Sequence, residues 1–236
     1  AVTDLGIDYQ DRFFSYLPLA HVAERLLTET APLYAGATVS FAESLAKFPT
    51  NLSDSEPTVF LSVPRLWSKF QQKILAKLPQ KKLNVLLKIP VISKLIQKKI
   101  QKGLGCHKAR IIGSGAAPIS ESLLHWFDKL GIRIEDCYAM TENFAYSFVT
   151  RPDAIRYGSC GQPMPGVDVK INDQGEVLVK SNADMVDYYR NPEETAKIFD
   201  EGKFIKTGDR GEIDSNGFLK ITGRAKDIFK TSKGKY

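Results

Sequence analysis

Carboxylate, hydroxyl and aromatic side chains cluster in one short segment that follows a strand-like run. Residues 136–142 read DCYAMTE. In such a segment an aromatic ring can stack on a base, a hydroxyl can bind a phosphate and a carboxylate can hold a cation. Mg²⁺ suits that role because it is a hard ion that prefers carboxylate and phosphate oxygens. A strand end with a core tyrosine and a solvated glutamate would account for the same residues without a ligand.

Two further segments place glycine where the backbone could approach a ligand. GSGAAP at 113–118 lies between a strand-like run and a helix-like run, where an anion can be favoured by the helix start. It is neither a Walker loop nor a GxGxxG fingerprint, and a tight strand-to-helix connection would have the same composition. The motif KTGD predicts that Asp209 lies in a glycine-flanked turn, where its carboxylate can accept hydrogen bonds from both hydroxyls of a ribose. Arg224 is expected across a hairpin from it. A turn aspartate and a surface arginine are the alternatives.

The elements that must position these segments change in character along the chain. Residues 1–154 alternate between strand-like and helix-like runs, which predicts an α/β subdomain with a parallel sheet. Residues 57–63 are typical of a buried strand, and Pro64 stands where the next helix can begin. Residues 155–222 contain short runs separated by Gly, Asn and Asp, which predicts a β-rich subdomain with one helix at 191–199.

Charge is distributed unevenly over the 236 residues, whose net charge is +6. The segment from Arg65 to Arg110 contains thirteen Lys and Arg, and no acidic residue lies between Glu56 and Glu121. Its lysines alternate with Ile, Leu and Val, which favours peripheral contact of residues 65–110 with an anionic membrane. A solvated basic face is the alternative. Nucleic-acid binding is not expected, because no recognition motif accompanies the charge.

Cysteine usage and the chain ends give further expectations. Cys106, Cys137 and Cys160 form no CxxC pair, so we expect neither a disulfide framework nor a zinc site, and a reducing cytoplasm is the simplest location. No apolar run approaches the roughly 20 residues that span a bilayer, and the start does not resemble an export signal. The chain lacks an initiator Met and stops after a motif-like stretch, from which we expect a fragment of a longer protein.

Four ordered motifs, GSGAAP, YAMTE, KTGD and GRAKDIFK, resemble those of the adenylate-forming superfamily. That superfamily includes acyl-CoA synthetases, nonribosomal adenylation domains and beetle luciferases. The resemblance covers essentially the whole chain, with further matches at YLPLAHVAER, GSCGQPMPG and GEVLVKSNADMVDYYRNPEETAKIF. It implies an α/β sheet subdomain and a distorted-barrel subdomain, both within the large N-terminal domain of such an enzyme. Residues 223–236 would be a hinge segment leading to a C-terminal domain.

The resemblance implies that two segments contact the adenine of ATP. The backbone of Gly115, Ala116 and Ala117 would lie along the ring. Asp136 would contact the adenine amino group, and Tyr138 would stack on the face of the ring.

It also implies roles at the phosphate, the ribose and the hinge. Thr141 would bind the α-phosphate and Glu142 would coordinate Mg²⁺. Asp209 would hold the ribose hydroxyls with support from Arg224, and Asp227 matches the hinge about which the C-terminal domain rotates.

The expected acyl substrate rests on a narrower resemblance. VFLSVPRLWSKF resembles the gate segment of long-chain fatty-acyl-CoA synthetases, which would place Trp67 at the mouth of the acyl tunnel, with Met140 beside the pocket. His21 matches an aromatic-or-His position near the substrate carboxylate. A core tryptophan and a core histidine are the alternatives.

The implied reaction is activation of a long-chain fatty acid with ATP, through acyl-AMP to acyl-CoA, with CoA as the second co-substrate. An adenylating ligase for another carboxylic acid, or a basic lipid-surface binding module, are the alternatives. Two departures from the family pattern matter. Ala139 replaces a glycine, which is tolerable if its φ is negative. The phosphate loop and the C-terminal lysine are absent from the sequence, so we expect this fragment alone to be inactive.

Overall fold

A computed structural model describes residues 2–225, which are divided between two compact units, Ala1–Cys137 and Tyr138–Tyr236. The units divide between residues 137 and 138, and the predicted subdomain boundaries at 154 and 222 stay predictions. Asp227 and most of GRAKDIFK lie outside the described residues. Within the described range, every helix is too short or too polar to cross a lipid bilayer.

A parallel sheet is the framework of the first unit. Its five strands lie in the order β2-β1-β3-β4-β5. They are β1 Arg12–Ser15, β2 Thr38–Phe41, β3 Val59–Ser62, β4 Ile111–Ser114 and β5 Glu135–Tyr138. Apolar runs such as VFLS of β3 are buried on both faces, as expected where helices cover a parallel sheet. The predicted α/β class is therefore confirmed.

Helices connect these strands. They are α1 Val22–Glu24, α2 Ala31–Ala35, α3 Phe48–Ser55, α4 Pro64–Lys77, α5 Gln80–Leu87, α6 Pro90–Gly103 and α7 Glu121–Asp128. A π-helical segment, Arg25–Thr30, joins α1 to α2. Proline occupies the first position of both α4 and α6, where its missing N–H is not needed.

A cluster of aromatic side chains lies in the core of the first unit. Trp67 is fully buried and makes edge-to-face contacts with Phe60, Phe70 and Phe127, at ring centroid distances of 5.8, 5.7 and 5.2 Å. Burial of each such side chain stabilises the fold by roughly 1.5–3 kcal/mol. This cluster fixes α4 and α7 against the central strand β3.

An antiparallel sheet forms most of the second unit, as the β-rich pattern predicts. Its strands lie in the order β11-β10-β9-β8, and β6 and β7 form a short antiparallel pair that does not belong to this four-stranded sheet. The bounds are β6 Phe148–Val149, β7 Gln162–Pro163, β8 Asp168–Ile171, β9 Glu176–Lys180, β10 Ile205–Ile213 and β11 Leu219–Arg224. The helix α8, Pro192–Ile198, is capped as expected, since Asn191 accepts a hydrogen bond from the backbone N–H of Glu194.

Candidate nucleotide-binding site

Asp209 is held by two donors within the second unit. It lies in β10, in register with Arg224 of β11. Arg224 Nε lies 3.1 Å from Asp209 Oδ1, and the Tyr138 hydroxyl donates to Asp209 Oδ2 at 2.7 Å. The second unit therefore brings together three residues that are up to 86 positions apart in the sequence.

The local structure around Asp209 corrects one expectation. The hairpin that connects Asp209 to Arg224 is present, but Asp209 lies within a nine-residue strand, so its assignment to a glycine-flanked turn is wrong. Gly208 has a φ of +73°, and the pairing of β10 with β9 is irregular between Lys206 and Arg210. A glycine inside a strand often marks such an irregularity, because it allows a backbone conformation that side chains disfavour.

Tyr138 combines a half-buried ring with a fixed hydroxyl. Its ring centroid lies 6.1 Å from that of Phe148. Burial, together with the neighbouring Asp209 carboxylate, raises the pKa of the Tyr138 hydroxyl far above its ordinary value. The hydroxyl therefore stays protonated and remains a donor to Asp209.

Glu142 is held at a second point of the same unit. It lies in a 3₁₀ turn, Thr141–Asn143, and its Oε1 accepts a hydrogen bond from the Tyr188 hydroxyl at 2.7 Å. The backbone N–H of Met185 donates to the Glu142 carbonyl, also at 2.7 Å. Burial, and then the hydrogen bond to Glu142, raises the pKa of Tyr188 to about 12. Segment 185–188 thus fixes both the backbone and the carboxylate of Glu142.

Tyr188 was missed by sequence reasoning. It lies in the segment NADMVDYYRNPEET, which matches the superfamily pattern without any role assigned to its tyrosines. The structure separates the two neighbours, since Tyr189 is 82% exposed whereas Tyr188 is half-buried against Glu142.

The carboxylate of Glu142 fits a magnesium ion. Its Oε1 accepts one hydrogen bond, and its Oε2 accepts none from the described residues. In the described range no group of three or more His, Cys, Asp and Glu side chains converges on one point. Mg²⁺ characteristically takes one or two protein carboxylates and completes its shell with substrate phosphates and water. A single, partly free carboxylate is therefore a suitable donor set.

The turn that carries Thr141 is defined by its backbone. Thr141 is exposed, and the following Phe144 and Ala145 both have a left-handed φ, of +53° and +56°. The side chain of the buried Asn143 accepts a hydrogen bond from the Met140 N–H at 3.1 Å, which closes the turn. Ala139 does not have a positive φ, so the expectation that alanine is tolerated there is confirmed.

In the first unit, the GSGAAP loop begins where β4 ends. Ser114, the last residue of β4, is in register with Asp136 of β5. A Cβ placed at Gly115 would lie 3.3 Å from the backbone oxygen of Cys137, so glycine allows the loop to approach β5 closely. The following Ala116 has a φ of +66°, and both Ala116 and Ala117 are exposed. The loop therefore presents its backbone and two methyl groups beside Asp136.

The carboxyl group of Asp136 has a pKa near neutral pH. Its carboxylate accepts a hydrogen bond from the Cys137 N–H at 3.1 Å. Burial raises the pKa of Asp136 to about 7, in spite of that hydrogen bond. The preceding Glu135 is buried on the same strand, and burial raises its pKa to about 7 as well, with Arg110 acting in the opposite direction.

The residues assigned to the acyl substrate lie in different environments. Trp67 belongs to the aromatic core described above. This is the environment expected of a core tryptophan, the alternative to a role at the acyl tunnel. Its Nε1 is buried without a partner among the described residues. His21 is exposed at the start of α1, so its alternative assignment as a core histidine is wrong. Met140 is half-buried. The acyl-binding roles of these three residues stay predictions.

Solved structures of adenylate-forming enzymes share this fold. An anthranilate CoA ligase in complex with anthranoyl-AMP superposes with a TM-score of 0.74 at 25% identity, over 96% of this chain and 42% of that one. The N-terminal domain of FACL13 from Mycobacterium tuberculosis superposes with a TM-score of 0.69 at 26% identity, over 94% of this chain and 54% of that one. The fold is thus that of the N-terminal domain of an adenylate-forming enzyme.

The family model described as AMP-binding enzyme matches residues 1–189, and the chain belongs to that family. Among curated proteins, long-chain-fatty-acid–CoA ligase ACSBG2 of Xenopus laevis is 31% identical over 96% of this chain and 35% of its own length. Long-chain-fatty-acid–CoA ligase 5 of Rattus norvegicus is 34% identical over 96% of this chain and 37% of its own length. The chain therefore spans little more than a third of the length of these relatives.

Proposed function

We propose that the protein containing this chain activates a long-chain fatty acid with ATP, through acyl-AMP to acyl-CoA. The single observation that carries the proposal is the Asp209 carboxylate, held from one side by Tyr138 and from the other by Arg224. Membership of the AMP-binding family and the names of the curated relatives support the choice of reaction and substrate.

The geometry at Asp209 suits ribose recognition. A carboxylate has about four lone-pair positions, and the contacts to Tyr138 and Arg224 use one on each oxygen. Each oxygen can therefore still accept one ribose hydroxyl. Because both donors are in place before a nucleotide binds, the carboxylate does not have to be reoriented on binding, which reduces the entropic cost.

Adenine recognition is assigned to residues of GSGAAP and the strand that follows it. The backbone of the buried Gly115 and of the exposed Ala116 and Ala117 would lie along the ring, and the Tyr138 ring would stack on it. The Asp136 carboxylate would accept a hydrogen bond from the adenine amino group. Above a pH of about 7 that acceptor is charged, which strengthens the hydrogen bond.

Glu142 and Thr141 are assigned to the phosphates. In the reaction, an oxygen of the fatty-acid carboxylate bonds to the α-phosphorus while the bond to pyrophosphate breaks. The thiol of CoA then attacks the acyl carbon, loses its proton and releases AMP. Mg²⁺, when bound, would neutralise phosphate charge. Tyr188 fixes Glu142 in position to hold it, and the exposed Thr141 hydroxyl would donate to the α-phosphate.

The test is pyrophosphate release by the complete protein that contains this chain, with ATP, Mg²⁺ and carboxylic acids from acetate to oleate. Glu142→Ala and Asp209→Asn are the site variants, and Glu193→Ala, on the exposed face of α8, is the matched control. We expect a signal that peaks at long chains, is lost in both site variants and is unchanged in the control. A peak at a short or aromatic acid would favour a ligase for another acid, and silence in folded protein would refute adenylation.

The basic helices support a second proposal, peripheral contact of residues 65–110 with the inner, anionic face of a membrane from the cytoplasmic side. Large apolar side chains of α5, α6 and their connection are exposed between the lysines: Val85, Ile89, Val91 and Leu95 are 60%, 42%, 71% and 64% exposed. Apolar contact and lysine charge together suit a lipid surface. Each lysine near an anionic surface contributes about 1 kcal/mol to the free energy of binding. Sedimentation with anionic vesicles should fall steeply with salt, and equal sedimentation with neutral vesicles would contradict the proposal.

A further inference from the structure

An open cavity of about 560 Å³ lies within the first unit, among the helices α3, α4, α5 and α6. This volume lies within the range of small-molecule sites, roughly 300–1,000 Å³. The apolar part of its lining consists of Pro49, Leu52, Phe70, Ile74, Leu78, Leu86, Ile96, Ile100, Gly103 and Leu104. The cavity shares no residue with those assigned above to adenine, ribose, phosphate or the acyl substrate.

The walls of this cavity are apolar but incompletely covered. Ile74, Leu78, Leu86, Ile96 and Ile100 are each only half-buried, although α5 and α6 pack together. The lining contains no hydroxyl, amide or carboxylate side chain. A ligand could therefore gain free energy by covering these side chains, at about 25 cal/mol per Å² of apolar surface, whereas a polar body such as a nucleotide would find few hydrogen-bond partners.

Four lysines complete the lining of the cavity: Lys73, Lys77, Lys82 and Lys99. All four are exposed, and none of them forms an ion pair with a carboxylate of the described range. The sequence between Glu56 and Glu121 contains no acid that could neutralise them. The mouth of the cavity therefore has a concentrated positive charge, which attracts an anionic group.

We propose that this cavity binds a single-chain amphiphile with an anionic head group, and specifically a long-chain carboxylate. The hydrocarbon chain covers the half-buried aliphatic walls, and the carboxylate lies among the four ammonium groups. The lysine stems extend the apolar wall while their charged ends reach the head group. This binding site is distinct from the residues assigned above to the nucleotide and to the acyl substrate. Binding there does not require acyl activation.

Binding is tested without ATP in the complete protein that contains this chain, and the contribution of the cavity is the difference between the wild type and the cavity-filling variant described below. Isothermal titration calorimetry compares decanoate below its micellar concentration, decanol below its solubility limit, and acetate. We expect decanoate to bind more tightly than decanol by up to about fivefold for each lysine engaged, because an exposed ion pair contributes at most about 1 kcal/mol. Acetate should not bind detectably, because it cannot cover the apolar walls. Equal binding of decanoate and decanol would refute the role of the lysines.

A cavity-filling variant makes the test specific. A Cβ at Gly103 would meet no atom within 4 Å, and Gly103 has no positive φ. Gly103→Phe therefore introduces a Cβ that meets no backbone or side chain, adds a ring at a residue that lines the cavity, and removes a glycine from the end of α6. We expect decanoate to bind at least about tenfold more weakly to this variant. The added ring displaces more than two methylene groups of the ligand from the apolar wall of the cavity. Unchanged binding by a Gly103→Phe chain that melts like the wild type would refute the proposal.

Matched charge variants separate this site from membrane contact. Lys73→Gln with Lys99→Gln removes two charges at the cavity, and Lys88→Gln with Lys94→Gln removes two exposed charges that do not line it. We expect only the first pair to weaken decanoate binding, whereas both pairs should weaken binding to anionic vesicles. Equal effects of the two pairs on decanoate would refute the site. Failure of pyrophosphate release in the complete protein would overturn the proposed reaction and leave this result standing.

Discussion

Replacement of Asp136 by asparagine should stabilise the fold at alkaline pH and have little effect at acidic pH. Burial raises the pKa of Asp136 from an ordinary value of 3.8 to about 7. The folded state therefore binds this proton more tightly than the unfolded state does. The stability associated with the protonated carboxyl is fully present below pH 3.8 and is lost as the pH rises through about 7. Asparagine has nearly the same shape and remains neutral throughout.

The magnitude follows from the size of the pKa difference. Each pKa unit corresponds to about 1.36 kcal/mol, which sets a ceiling of about 4 kcal/mol for Asp136 above pH 7. Because this side chain keeps partial access to solvent, we expect about half of that, roughly 2 kcal/mol. The asparagine Oδ1 can still accept the hydrogen bond from the Cys137 N–H, so that contact does not offset the gain.

The assay is urea unfolding of the wild type and of Asp136→Asn at several pH values from 4 to 9, under conditions of reversible unfolding. The difference in the free energy of unfolding should rise from near zero at pH 4 to about 2 kcal/mol at pH 8. Glu135 stays in place in the variant, so some pH dependence of the stability will remain. The control is Asp54→Asn, at an exposed position of α3, with an expected change within about 0.5 kcal/mol at every pH. A variant that loses stability equally at all pH values would refute the reasoning.

Two further changes test the second unit. Tyr188→Phe removes the hydrogen bond to the Glu142 carboxylate and should lower pyrophosphate release about tenfold. The exposed Tyr189→Phe should leave release unchanged, and a similar loss in both variants would contradict a specific role for Tyr188. Gly161→Ala should destabilise the fold by about 3 kcal/mol or more, because its φ is +83° and its Cβ would lie 2.1 Å from a backbone oxygen. Gly166→Ala, with a similar φ of +77° but open space, should cost only about 1 kcal/mol, and equal melting temperatures would contradict the clash.

Local signals predicted several elements of the fold correctly. Pro64 and the helical spacing after it identified α4, and the apolar run before it identified β3. The cap at Asn191 identified α8. In each case a residue type with a strong backbone preference stands at the boundary of the element. The α3, α5 and β1 elements were not predicted, because eight or fewer residues contain too few periods for a pattern to be distinguished.

The candidate site could be predicted only in part. Base stacking and ribose binding were suggested by the residue types in 136–142 and in KTGD, but only the resemblance joined the proposed roles of Asp136, Tyr138 and Asp209 into one site, since no spacing rule connects Asp209 of β10 with the two residues of β5. The hydrogen bond from Tyr188 to Glu142 joins residues 46 positions apart. Such contacts depend on how the sheet and its loops pack, and a single sequence does not specify that. Asp209 was placed in a turn because Gly208 is typical of turns, whereas here it marks an irregular strand.

Backbone geometry at the nucleotide loops has a consequence for evolution. Ala116, Phe144 and Ala145 all have a left-handed φ without being glycine, at a cost of roughly 1–2 kcal/mol each. Selection for heat resistance alone would favour glycine or asparagine at these three positions. If these loops bind nucleotide as proposed, their present side chains mark places where adaptation for stability and adaptation for activity pull in opposite directions. A lineage that moved to a hotter environment would then have to recover the lost stability elsewhere in the domain, and would leave these loops unchanged for as long as the proposed nucleotide binding is under selection.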